Sequence, residues 1–197
     1  GANVDGLRIT AGNSVVSGLV INRFSSDGVE LSGNGGNIVE GSFIGTDATG
    51  TIALKNGTGI IASRSVNGLL IGGSGSGEGN LISGNRFYGI TISQFTDHVT
   101  GRIQGNKIGT DIIGTGPLGN GTDGVAVDFD GHIGGVNHGE GNIIAFNGTN
   151  GVKVDDGNTA ILGNSIFGNL LLGIDLSRPS NIGVTKNDLT PTPDSDA

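Results

Sequence analysis

The chain has no cysteine, no methionine and no tryptophan, and its 197 residues include only four prolines and one tyrosine. Absent cysteine excludes disulfides, thiol nucleophiles and Cys-based zinc sites together. Basic residues are scarce: ten Lys and Arg stand against 18 Asp and Glu, a formal charge of −8 with a pI near 4.6. Such a chain repels nucleic acid and anionic membrane surfaces, so neither is expected as a partner. No apolar run approaches the ~18 residues of a spanning helix, and membrane insertion is not expected either. No secretory leader is expected within these residues, and a start at Gly1-Ala2 without methionine reads as a piece processed from something longer. Helical periodicity is missing throughout, which excludes helical crossovers.

What is abundant is glycine, 41 residues, and asparagine, 20. Glycine is roughly three times its usual ~7% share, yet it follows no three-residue period, which excludes collagen. With 34% hydrophobic residues, mostly Ile, Val and Leu in short clusters, the chain is not disordered. Many short strands separated by tight turns remain.

The chain also repeats itself. IGTDATGTIALKNGTG begins at Ile44 and IGTDIIGTGPLGNGTDG at Ile108. Each is followed by I-G-G, at Ile71 and Ile133, and by G-x-G-N-[LI]-I, at Gly77 and Gly139. The period is nearly fixed at about 62 to 64 residues, which means stacked units rather than a globular core. Inside the long repeat lie clusters of type G-[IVL]-x-[IVL], such as Gly28 to Leu31, Gly89 to Ile92, Gly124 to Val127, Gly151 to Val154 and Gly173 to Leu176. This alternation is a strand signal with one buried face. Dividing the long period by three gives rungs of about 21 residues, the expected fold being an all-β, right-handed, single-stranded parallel β-helix of about eight or nine rungs. The expected coil covers 1–186, and 187–197, which gains Asp and Pro, reads as a linker or frayed tail. Ile90 and Ile92, Val125 and Val127, Val152 and Val154, and Ile174 and Leu176 are expected to point inward in columns. Asn85, Asn106, Asn147 and Asn164 sit at corners where carboxamides can bond along the stack. Neither terminus shows an amphipathic capping helix, so the expected alternatives are end-to-end self-association or continuation of the coil in a longer parent protein.

The recurring units G-x-G-N-[LI]-I-[SA]-x-N and G-N-x-I-G-T-D-x-x-G-T, over roughly Val4 to Leu176, resemble the Gly/Asn-rich IGTD-type β-helix segments of large secreted or cell-surface bacterial proteins. The fold is also similar to that of pectate lyases and polygalacturonases, which attack acidic polysaccharides. The resemblance implies a bacterial module, secreted or on the cell surface, that is structural or adhesive and has polysaccharide as its expected partner. A lyase or hydrolase fragment is the alternative. The polygalacturonase order of motifs is absent, because Arg102-Ile103-Gln104 comes too early to be its R-I-K.

Candidate chemistry centres on aspartates. Aligning GVAVD on GVKVD sets Asp128 beneath Asp155, with Asp130 and Asp156 adjacent and Lys153 close by. Two carboxylates one rung apart are about 5 Å from each other, near the separation used by retaining glycosidases. Asp128, Asp155 and Asp156 with Lys153 are therefore the catalytic candidates. Asp128, Asp130, Asp155 and Asp156 are the metal candidates, Ca²⁺ being the one cofactor the cluster admits. A solvated acidic surface is the plainer alternative. Tyr88 is the ligand-stacking candidate. Asp47 and Asp111, placed three rungs or roughly 14 Å apart, are expected to cap their own turns. His98, His132 and His138 fit no metal spacing, and Asn-Gly-Thr at Asn56, Asn120 and Asn147 reads as turn chemistry rather than glycosylation.

Overall fold

A computed structural model of the chain describes residues 3–63, 66–93 and 99–176. Every described element is a short strand, and the strands wind into coils of three. The first coil holds β1 (Leu7–Ile9), β2 (Val15–Ser17) and β3 (Val20–Ile21), the second β4 (Val29–Ser32), β5 (Ile38–Glu40) and β6 (Phe43–Ile44). The third holds β7 (Ile60–Ser63), β8 (Leu69–Gly72) and β9 (Leu81–Ile82), the fourth β10 (Ile90–Ser93), β11 (Thr100–Gln104) and β12 (Lys107–Ile108). The fifth holds β13 (Val125–Asp128), β14 (Asp130–Gly134) and β15 (Ile143–Ala145), the sixth β16 (Val152–Asp156), β17 (Thr159–Leu162) and β18 (Ser165–Phe167). β19 (Ile174–Asp175) opens a seventh level. First strands of successive coils make sheet A, second strands sheet B and third strands sheet C, with seven, six and six strands, all pairs parallel. The fold is thus an all-β parallel β-helix.

Its coils are longer than the expected third of the repeat. The sheet A partners Leu7, Val29, Ile60, Ile90, Val125, Val152 and Ile174 follow one another at unequal intervals, shortest at the two ends of the molecule and longest from Ile90 to Val125. Ile44, Ile82 and Ile108 are consecutive partners in sheet C, so the long repeat covers two coils, not three. The described residues accordingly hold six full coils instead of eight or nine. Length is absorbed by two kinds of protrusion on alternate levels. The second and fourth coils carry IGTD hairpins after sheet C, closed by antiparallel bridges Thr46–Ala53 and Thr110–Pro117. The third and fifth carry glycine-rich loops between sheets B and C.

Alternation in each strand decides which side chains enter the coil. Val29, Ile60, Ile90, Val125 and Val152 form one buried column, and Leu31, Ala62, Ile92, Val127 and Val154 a second. Ile71, Ile103 and Ile133 line the inside of sheet B. Ile174 and Leu176 depart from expectation. Ile174 lies on the outermost strand of sheet A and Leu176 just past its end, and with no further coil among the described residues to enclose them they are 39% and 56% exposed.

The corner asparagines form two ladders rather than one. Asn56, Asn85, Asn120, Asn147 and Asn169 pass Nδ2–H to the next Oδ1 at 2.9–3.1 Å, and Asn80, Asn106, Asn142 and Asn164 do so at 2.8–3.0 Å. Each amide also donates to a carbonyl of the coil before it, as Asn120 does to Ile82 at 3.0 Å. Asn56, Asn120 and Asn147 are therefore buried in a ladder and closed to glycosylation. The same ladder explains the glycine that begins each sheet A cluster: a Cβ on Gly124 would lie 2.7 Å from Asn147 Nδ2.

Candidate functional site

On sheet B the residues between the buried isoleucines face outward. Leu70, Arg102, His132 and Ala160 are register partners on β8, β11, β14 and β17, one per coil and so about 4.8 Å apart. Thr100 and Asp130 pair two residues earlier. This row is the floor of a cleft of about 800 Å³ whose wall is made by the glycine-rich loops that follow β8 and β14.

Both loops obey the same local rule. In GGSGSGE the Glu78 Oε2 accepts the Gly75 N–H at 2.7 Å, and in GGVNHGE the Glu140 Oε2 accepts the Asn137 N–H at 2.9 Å. Asn137 Nδ2 donates to Glu140 Oε1 at 3.1 Å as well. The Asn137 side chain, then its backbone N–H, and then the positive field of Arg102 and His132 hold the Glu140 carboxyl below the usual glutamate range. The intervening fourth coil turns the same corner tightly at Gly105, and the two loops meet across it, a Cβ on Gly139 falling 2.3 Å from the Ser74 carbonyl. A second cleft of about 650 Å³ lies on the other side of this loop ridge, sharing Gly73 and Ser74 and adding Lys107 and His138. Arg102 enters no ion pair among the described residues. The floor offers a guanidinium, an imidazole, a hydroxyl and carboxylates over a small apolar bed of Leu70 and Ala160, the mixture that hydrogen-bonds to hydroxyl-rich molecules.

The aspartates expected from sequence lie elsewhere. A register shift after Val127 sets Asp128 opposite Asp156, not Asp155, because the extra residue is taken up as a bulge in β16. Lys153 Nζ sits 2.6 Å from Asp155 Oδ1. That bond, and then the fields of Asp155, Asp123 and Asp175, raise the lysine pKa against the opposing effect of burial. Asp130 belongs to sheet B and lines the cleft, around the corner from the other three. Among the described residues no three His, Asp or Glu side chains converge as a metal-holding group. Tyr88 is half-buried, while its neighbour Phe87 is 48% exposed. His98 lies outside the described residues.

Asp47 and Asp111 do cap their own turns. Asp47 accepts from Thr49 Oγ1, Thr51 N and Ile52 N at 2.7, 3.2 and 3.1 Å, and Asp111 from Gly114, Thr115 and Gly116 N–H at 2.8, 3.1 and 3.1 Å. These bonds, led by the Thr49 hydroxyl and by the Gly116 N–H, pull both carboxyls below the usual aspartate range.

Sequence reasoning missed Arg102, His132, Glu78 and Glu140 as one site. The available signal was the triplet x-Ile-x, since Leu70-Ile71-Gly72, Arg102-Ile103-Gln104 and His132-Ile133-Gly134 are consecutive rungs of one sheet. No family model matches the chain, and comparison with curated proteins and with solved structures returns no match.

Proposed function

We propose that the chain is a secreted or surface-displayed bacterial β-helix rod of the IGTD type, structural or adhesive in role, whose sheet B cleft holds carbohydrate. The observation that carries this reading is the cleft itself: a polar floor one residue per coil wide, walled by two stacked loops that recur with the sequence repeat. The two asparagine ladders and the enclosed aliphatic columns supply the stiffness that a spacer or adhesin needs. A panel of neutral and acidic polysaccharides titrated against the protein by calorimetry tests the reading. At least one class is expected to bind, and the double variant Arg102→Ala, His132→Ala is expected to weaken it tenfold or more with an unchanged melting temperature, both side chains being exposed. Absence of any binding, or binding indifferent to the double variant, sinks the proposal.

A polysaccharide-cleaving activity is the second reading, and one feature favours it: a guanidinium and an imidazole on adjacent rungs of an open cleft. Lys153, held charged by Asp155, is poorly suited to act as the base. New reducing ends or unsaturated products that vanish in His132→Ala while binding persists would select this reading over adhesion alone.

A further inference from the structure

The sequence contains six Asn-Gly steps, at Asn34, Asn56, Asn67, Asn120, Asn147 and Asn150. In such a step the unhindered glycine nitrogen can attack the asparagine side chain. Two freedoms are needed: the carboxamide must swing toward the following nitrogen, and that nitrogen must be released from its own hydrogen bond.

Five of the six lack them. Gly57, Gly121, Gly148 and Gly151 donate their N–H to carbonyls of Ser26, Asn85, Asn120 and Leu172 at 2.5, 3.0, 2.9 and 2.9 Å, and Gly68 donates to Thr100 Oγ1 at 3.1 Å. Their asparagines are held too. Asn56, Asn120 and Asn147 are ladder members. Asn67 Oδ1 accepts the Thr100 N–H at 3.1 Å, and Asn150 Oδ1 accepts the Leu172 N–H at 3.1 Å.

Asn34 differs in both respects. It is exposed at the corner between β4 and β5, and its side chain makes one long contact, Nδ2 to the Thr10 carbonyl at 3.4 Å. The Gly35 N–H donates to no acceptor among the described residues, although the Gly35 carbonyl is anchored by the Asn13 N–H at 2.9 Å. We infer that Asn34–Gly35 is a self-modifying site, the one Asn-Gly step in this coil that converts to aspartate and isoaspartate while the protein is folded.

The step is internally balanced. Solvent base removes the Gly35 amide proton, the nitrogen forms a bond to Asn34 Cγ, and the Cγ–Nδ2 bond breaks with loss of ammonia to leave a succinimide. Water then opens either ring carbonyl. Opening at the α-carbonyl threads the backbone through the former side chain, adding one carbon to a corner pinned by Asn13 N–H to Gly35 O and Gly36 N–H to Asn67 O bonds. Opening at the other carbonyl leaves a new carboxylate beside the Thr10 carbonyl.

Incubation of the whole chain at mildly alkaline pH, followed by timed peptide mapping with mass spectrometry, tests this. Asn34 is expected to convert at least tenfold faster than any of the other five, and in denaturant the six rates are expected to fall within a few-fold of one another. Asn34→Gln, at an exposed position, is expected to remove the fast phase without shifting the melting temperature. Conversion of Asn56, Asn120 or Asn147 at a rate comparable to Asn34 in the folded chain overturns the inference. So does a folded-state rate at Asn34 no greater than at the rest.

Discussion

Ile112 donates its backbone N–H to the carbonyl of Gly50 at 3.0 Å, joining the two IGTD hairpins of the long repeat. The bond exists because the third coil, between them, turns the same corner through Ser83 and Gly84 without a hairpin. Two protrusions on alternate levels thus become one continuous ridge.

Gly50 is the residue on which this contact depends. Its φ is +68°, and a Cβ there would lie 2.8 Å from both Ile112 Cβ and a Leu81 methyl. Gly50→Ala is expected to destabilise the protein by about 1–3 kcal/mol from backbone strain and crowding. Adding Ile112→Ala should recover none of that loss, because alanine keeps the Cβ at the point of contact. A denaturation midpoint for Gly50→Ala equal to that of the parent would contradict the geometry.

Asn120 takes bonds from the Asn85 N–H and Nδ2 and gives bonds to the Ile82 carbonyl and Asn147 Oδ1. Asn120→Ala leaves several buried partners unmatched at once, so the expected cost is about 2–4 kcal/mol in urea denaturation. Asn120→Asp should cost more, since a carboxylate oxygen would then face two acceptors. A loss for the alanine variant smaller than the net contribution of even one ordinary hydrogen bond would show that the ladder adds nothing to stability.

Burial, and then the charge of Asp5 one coil below, raise the Asp27 pKa above the ordinary aspartate value. The native state therefore binds this proton more tightly than the unfolded chain, for which ~3.9 applies. The associated stability is complete below that value and is lost as pH rises through the native pKa. Asp27→Asn is expected to raise the melting temperature at pH 7, and the difference should close by about pH 3. A lower midpoint at pH 7, or a gap that survives acidification, would refute it.

Asp111 has the opposite sign. Its lowered pKa means that the bonds to Gly114, Thr115 and Gly116 are retained above the unfolded value and are lost only as pH falls through the native one. Amide hydrogen exchange at these three residues is expected to stay protected at pH 5 and to accelerate in Asp111→Ala at every pH. Equal protection in the variant would remove the carboxylate from its capping role.

The strand pattern was readable because Val125 and Val127, or Val152 and Val154, obey a two-residue alternation that no loop length can disturb. The coil length was not, because IGTD hairpins and glycine-rich loops occupy alternate levels and their residues are counted into the period. Asp128 was set under Asp155 by aligning identical letters, whereas the bulge in β16 costs one residue of register. The cleft was hidden for a similar reason. Leu70, Arg102, His132 and Ala160 follow one another at steadily shrinking intervals, an uneven series that no fixed period reveals.

Every amide-to-amide bond in the two asparagine columns runs in the same sense, from the earlier coil to the later. Their dipoles add head to tail instead of cancelling as they would in an antiparallel array. The two ends of the molecule are therefore electrically unlike, and anything that meets it along its axis encounters a particle with a direction.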